Sequence, residues 1–327
     1  MNSNLKNNNK QAVKTTVNRV FALLLCIFML FALCACSEQG EKPEGDGEKL
    51  QVVCTLFPQY DFVREIAGDC VELTLLLPPG VESHSYDPTP SDMKAVASAD
   101  IVIRVGENME TWSSKLMGSA GDGAVFLDLA DEMGLELEAH EHGDDEHADS
   151  AGERDPHIWT DPVLAKDMVR IITEKLCELD EKNAAEYDHR SELYISKLEA
   201  LDKDIKEIVG NAKRKTVVFS GRFALKNFTD RYGLKAVSAL DACADNSEPS
   251  AAAVAKIVDT VKDENIPVIF YEELIEPKTA KIISSETGAE MLLFHSCHNL
   301  SKDDFNSGET YLSLMRKNVE NLREALL

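Results

Sequence analysis

Short apolar runs, each followed by a stretch of helical periodicity, occur in two series along this chain, on either side of a long segment without proline. In the first series LQVVCTLF (50–57), VELTLLL (71–77), DIVIRVG (100–106) and AVFLDLA (124–130) read as strands, and QYDFVREIAG (59–68) and SDMKAVASA (91–99) as helices. In the second, KTVVFS (215–220), LKAVSAL (234–240), PVIFYEEL (267–274) and AEMLLFHSC (289–297) are the strands. Helices are expected there at 222–233, 250–265 and 277–288, with a terminal amphipathic helix, TYLSLMRKNVENLREALL. Strands this short and apolar, alternating with helices, bury both faces and pair in parallel. Between the series, Met168, Ile171, Ile172, Leu176 and Leu179, then Leu198, Leu201, Ile205 and Ile208, recur at intervals of three and four. No proline interrupts Val163–Phe219, so a long connecting helix is expected, with Asp180–Asn183 the place for a break. The predicted fold class is α/β: two lobes, 50–162 and 213–327, each a parallel sheet flanked by helices, joined by a long helix over 163–212. Sheets of this kind take their ligands in the loops beyond the carboxyl ends of the strands.

Residues 1–35 stand apart from this pattern. Lys6, Lys10, Lys14 and Arg19 form a basic segment without an acid, followed by the apolar run VFALLLCIFMLFALCA from Val20 to Ala35. Sixteen apolar residues fit the core of a secretory signal better than a spanning helix, which needs roughly 20. The run ends in Leu33-Cys34-Ala35-Cys36, which resembles the lipobox of bacterial lipoproteins, cleaved before Cys36 with lipid added to that cysteine. Residues 36–49 carry no large apolar side chain before Leu50 and read as a flexible tether. The body of the protein is therefore expected to be exported and lipid-anchored to the outer face of the cell membrane, the periplasmic side in a Gram-negative cell.

Charge argues against one class of partner. Without the four leader cations, 30 basic face 58 acidic residues, a net of −28, which repels nucleic acid and attracts cations. Five cysteines follow Cys36, with no CxxC among them. Cys243 and Cys297 both follow strand-like runs, AVSAL and MLLF, and are the expected disulfide pair, although spacing alone leaves other pairings open.

The histidines carry the chemistry. His84 lies in LLLPPGVESHSYDPTPSD, beyond the second strand and beside Glu82 and Asp87. His157 lies in RDPHIWTDP, rigidified by proline on both sides, and His295 ends the apolar strand MLLF. Three imidazoles at three loop mouths, drawn from both lobes, suit a cation held between them. Neutral imidazole is a preferred ligand of Zn2+, and carboxylates such as Glu82, Asp161, Asp245 and Glu273 can compensate its charge from outside the ligand shell. A shell rich in histidine favours Zn2+, whereas Mn2+ prefers oxygen. His189 falls on a solvated helix face; His298, three residues beyond His295 in a turn, has no direction fixed by sequence and stays outside the expected set. His140, His142 and His147 lie in an acidic segment, 138–150, that has too few apolar residues to fold alone; they are candidate auxiliary metal ligands, the alternative being a merely solvated loop.

On PPGxExHxYDP and DPHxWxDP, with FPQYDFVREIAGD, the acidic His-rich loop and RYGL at 231–234, the chain resembles the cluster of ABC-transporter substrate-binding lipoproteins that capture zinc or manganese outside the cell. The resemblance spans residue 50 to the end. It implies two lobes joined by a rigid helix, a monomer that hands its metal to an ABC permease with limited hinge motion, and no catalysis. It implies His84 and His157 as the first two ligands, and the loop tilts the metal toward zinc, with manganese the other candidate. One departure stands out: SGRFALKNF places Arg222 where the family commonly has a third ligand histidine. A guanidinium cannot coordinate a cation. At the fourth place, where many members have Asp, this chain has His295. The expected site is therefore His84, His157 and His295, with the fourth position held by water, a carboxylate or a loop histidine. The alternatives are a surface adhesin that keeps the fold and, ranked lower because no HExxH is present, a zinc hydrolase.

Overall fold

The computed structural model describes residues 49–83, 86–121, 123–136, 155–240 and 249–327. Cys36, His84, Cys243, Asp245 and the histidines of the 138–150 segment lie outside the described residues.

Strands β1 (Leu50–Cys54), β2 (Val71–Leu75), β3 (Ile101–Arg104) and β4 (Val125–Asp128) form one parallel sheet in the order β2-β1-β3-β4. Strands β5 (Thr216–Phe219), β6 (Lys235–Ser238), β7 (Val268–Tyr271) and β8 (Glu290–Leu293) form a second parallel sheet, β6-β5-β7-β8. The two orders are the same topology used twice. In each, the strand order reverses direction beside the first strand, so a crevice opens between the β1 and β3 mouths and another between the β5 and β7 mouths.

The first lobe carries helices α1 (Phe57–Ala67), α2 (Pro90–Ala97), α3 (Ser114–Met117) and α4 (Leu129–Glu132). The expected strand 50–57 stops at Cys54 because Pro58, in the first turn of α1, starts the helix early. The expected connecting helix is two helices, α5 (Pro162–Leu179) and α6 (Ala184–Gly210), separated by a 3-10 turn over Glu181–Asn183. The Asp180 carboxylate locks that corner, accepting from Asn183 Nδ2 and Tyr187 Oη, both at 2.7 Å. Helix α6, with 27 residues, is about 40 Å long and packs against α1, α5 and the last helix, α11 (Tyr311–Leu326), so it braces both lobes. Helices α7 (Lys226–Tyr232), α8 (Ala251–Asp263), α9 (Lys278–Thr287) and α10 (Lys302–Asn306) complete the second lobe. The last strand ends at Leu293, four residues short of its expected end, and releases 294–301 as a loop.

One continuous set of buried apolar side chains runs from Val52 through Trp159, Leu198 and Phe270 to Leu326. A smaller set, including Val218, Ile257, Ile269 and Ile283, seals the outer side of the second sheet under α8 and α9. Two polar contacts pin the last helix to the first lobe. Asp61 on α1 accepts the Tyr311 backbone N–H at 2.7 Å, and the Tyr311 hydroxyl donates to the Trp159 carbonyl at 2.6 Å. Burial pushes the Asp61 carboxyl up to about 6, against the pull of Arg64. Among the described residues no helix is long and apolar enough to cross a membrane.

Candidate metal centre

Four loops meet at the carboxyl ends of the two sheets: 78–89 after β2, 155–161 before α5, 220–225 after β5, and 294–301 after β8. Hydrogen bonds to backbone carbonyls tie them together across the lobes. Asn299 Nδ2 donates to the carbonyls of Pro78 and Val81, both at 2.8 Å, and Gly80 N–H donates to the Leu300 carbonyl at 2.7 Å. Gly80 has φ 83, a conformation that favours glycine and lets the loop turn here. Trp112 Nε1 donates to the Ser83 carbonyl at 3.0 Å, and its ring meets Tyr86 edge-on at 4.9 Å. Thus Ser83 and Tyr86 are anchored, while His84 and Ser85 between them lie outside the described residues.

His157 is 1% exposed. Asp155 Oδ1 accepts both its backbone N–H and its Nδ1–H at 2.9 Å, so the proton of the neutral ring lies on Nδ1 and the lone pair on Nε2. Burial works to raise the Asp155 carboxyl, but His157 outweighs it and holds the group below the ordinary carboxylate range. Asn227 fixes the Asp155 carbonyl at 2.8 Å, and Trp159 Nε1 donates to the Ser296 carbonyl at 2.8 Å, bringing this turn onto the β8 loop.

The β8 loop places two imidazoles on one carboxylate. His298 Nδ1 lies 3.1 Å from Glu273 Oε1 and 2.6 Å from Ser296 Oγ. His295 Nδ1 lies 3.6 Å from the same Glu273 oxygen. Burial works to raise Glu273, and the two histidines with Ser296 hold it well below the usual range. Among the described residues neither His295 Nε2 nor His298 Nε2 has a hydrogen-bond partner, although both atoms are buried.

The two rings differ in direction and tautomer. His295 Nδ1 accepts the Cys297 backbone N–H at 2.9 Å, which puts the proton of its neutral ring on Nε2. Its backbone is held to α11 by Asn318, at 2.7 and 2.8 Å, and beyond Glu273 and His298 the charges acting on it are Asp304 and Lys317. The charges acting on His298, beyond Glu273, are Glu82 and Arg222. His298 thus lies near Glu82 and Arg222, on the loops after β2 and β5. Sequence reasoning set it aside; the signal was the HSCHN spacing combined with the paired glutamates of YEE at the β7 end.

Arg222 is buried, with 8% of its side chain exposed. Its Nη2 donates to Glu82 Oε2 at 2.8 Å, and its Nε donates to Glu272 Oε2 at 3.2 Å. Arg222 and Glu272 also line a cavity of about 380 Å³ in the second lobe, with Tyr271, Leu274 and Lys278. Asp161, expected to lend charge to the site, is instead engaged elsewhere: it caps α5 through Val163 N–H at 2.8 Å and pairs with Arg231 at 2.7 Å. Cys297 is a free, fully buried thiol with φ 62, packed in the core, and Cys243, its expected disulfide partner, lies outside the described residues. Among the described residues no three His, Cys, Asp or Glu side chains are grouped to hold a metal ion by themselves.

Residues 52–325 match the family described as ZnuA, zinc-uptake complex component A, periplasmic. The chain belongs to this family. The high-affinity zinc uptake system protein ZnuA of Bacillus subtilis (strain 168) is 35% identical over 314 residues, covering 94% of this chain and 97% of that protein. The zinc-binding lipoprotein AdcA of Streptococcus pneumoniae serotype 4 is 34% identical over 93% of this chain, which spans 60% of AdcA's length. The crystal structure of the Zn(II)-bound ZnuA-like domain of Streptococcus pneumoniae AdcA matches with a TM-score of 0.70 at 30% identity, over 85% of this chain and 98% of that one. The four loops described above meet where the two lobes face each other, joined by the Arg222–Glu82, Asn299–Pro78, Asn299–Val81 and Trp159–Ser296 bonds.

Proposed function

We propose that this protein captures Zn2+ outside the cell membrane and hands it to the permease of an ABC importer, with zinc as cargo and no catalysis. One observation carries the reading. Two buried imidazoles in the cleft, His157 and His298, each set Nδ1 against a buried carboxylate, Asp155 and Glu273, the arrangement that orients a histidine to offer Nε2 to zinc. The ligand set we propose is His84, His157 and His298. His295 leaves the set expected from sequence, because its tautomer and surroundings direct it to α11. Water or a histidine of the 138–150 loop takes the fourth position, and His140, His142 and His147 act as an auxiliary zinc-collecting segment.

The relatives' names support zinc rather than manganese, and a shell of imidazole nitrogens does so on chemical grounds. We further propose that Cys36 carries lipid, that the protein is tethered by residues 36–49, and that it works as a monomer. The family is one of zinc-uptake components, so the hydrolase alternative is set aside. Calorimetric titration of the metal-stripped mature protein with Zn2+ tests the reading: one tight equivalent is expected, lost in His157→Ala. Undiminished tight binding in that variant, or none in the parent, overturns it.

A further inference from the structure

Arg222 stands between two carboxylates, Glu82 of the first lobe and Glu272 of the second, and each of their oxygens accepts a hydrogen bond. Glu272 accepts the Arg222 backbone N–H on Oε1 at 3.3 Å and the side-chain Nε on Oε2 at 3.2 Å. Glu82 accepts Arg222 Nη2 on Oε2 at 2.8 Å and Ser83 Oγ on Oε1 at 3.4 Å. Gly221 gives the carboxylate its room: a Cβ there would lie 2.8 Å from Glu272 Oε1 and would push the carboxylate aside. All three side chains are largely buried, at 8%, 21% and 20% exposed for Arg222, Glu82 and Glu272. Charge-assisted pairs in such surroundings are not given up without loss, because a buried carboxylate deprived of its partner is costly. The third acid, Glu273, is committed to Ser296 and His298.

We infer that Arg222 sets the metal selectivity of the cleft by withholding Glu82 and Glu272, so that an arriving ion meets only imidazole nitrogens and water. Arg222 is a positioning residue in this scheme. It touches no metal, yet it removes the oxygen ligands that Mn2+ and other hard cations require while leaving a nitrogen shell that Zn2+ accepts. The fork of a guanidinium is needed because it must engage two carboxylates from opposite lobes at once, which a lysine's point charge does poorly. This inference rests on the zinc-capture reading and deepens it.

The test compares Zn2+ and Mn2+ affinities in the full mature protein, its Arg222→Met variant, and the Arg222→Met/Glu82→Gln/Glu272→Gln variant. Removing one positive charge strengthens binding of both divalent ions alike, so the ratio of affinities is the readout. Arg222→Met frees the carboxylates and is expected to shift the ratio toward Mn2+ by about tenfold or more; the triple variant should return it toward the parent. An unchanged ratio in Arg222→Met, or a gain that survives in the triple variant, overturns the inference. A crystal structure of the zinc-loaded parent is a second test that needs no variant: Glu82 and Glu272 are expected to remain on Arg222, and a carboxylate of either on the zinc refutes the scheme. Failure of the parent to bind zinc would instead refute the capture reading beneath it.

Discussion

Glu110 offers a test of the electrostatics that hold the first lobe's crevice. It is fully buried between the β1 and β3 mouths and accepts from Thr55 Oγ1 at 2.6 Å, from the Val105 and Gly106 N–H groups at 3.1 Å, and from Gln59 Nε2 at 3.2 Å. Burial raises its carboxyl to about 7 from an ordinary 4.5, despite these donors, which favour the ionised form. A folded value above the unfolded one means that the native state holds the proton more tightly. The stabilisation is therefore complete below the unfolded value and is lost as pH rises through about 7. With a tenfold change in proton affinity worth about 1.4 kcal/mol, the loss is about 3 kcal/mol, or roughly 5–10 °C in Tm for a chain of this size. Glu110→Gln, which cannot ionise, should lack this component. The assay is thermal or urea unfolding of the metal-free mature protein and Glu110→Gln between pH 5 and pH 8. Subtracting the variant's profile from the parent's cancels other titrating groups, Asp61 among them. The difference should fall with rising pH. A difference that stays flat, or one that rises, refutes the reasoning.

Other outcomes follow from the same contacts. Asp155→Asn and Glu273→Gln should each weaken Zn2+ binding by about 10–100-fold without removing a ligand, read by competition with a chromophoric chelator; zinc affinity equal to the parent's would show that the carboxylates do not orient the rings. Deleting residues 138–150 should leave one tight zinc equivalent and remove weaker ones at little cost to folding, as calorimetry will report. Loss of the tight equivalent would make a loop histidine a principal ligand. Cys36→Ala should leave the protein unacylated or release it from membranes, measured by fractionation and mass of the N-terminal fragment, and normal acylation would contradict the anchor.

The fold was legible because parallel strands buried on both faces are continuous apolar runs, and all eight described strands fall on such runs. The ends were less legible. The β8 run looked like a strand through Cys297, yet Asn318 on α11 takes the His295 backbone and Cys297 adopts a left-handed φ, so pairing stops at Leu293. That early stop is also why His295 was the natural expectation: at the end of a strand it would project from the carboxyl edge, whereas in the released loop Asn318 of α11 holds its backbone and the Cys297 N–H takes its Nδ1. His157 was readable from its prolines, which hold the turn in which Asp155 takes both the N–H and the ring. Nothing local to SGRFALKNF announces that Arg222 meets Glu82, 140 residues away, because that pairing exists only once the lobes face each other.

The most direct measurement is a zinc titration of three variants side by side: His157→Ala, His298→Ala and His295→Ala. Losses of about 100-fold or more are expected for the first two, since each removes one of the three imidazole nitrogens of the proposed shell, with His295→Ala close to the parent. A severe loss in His295→Ala together with parental affinity in His298→Ala would contradict the proposed site.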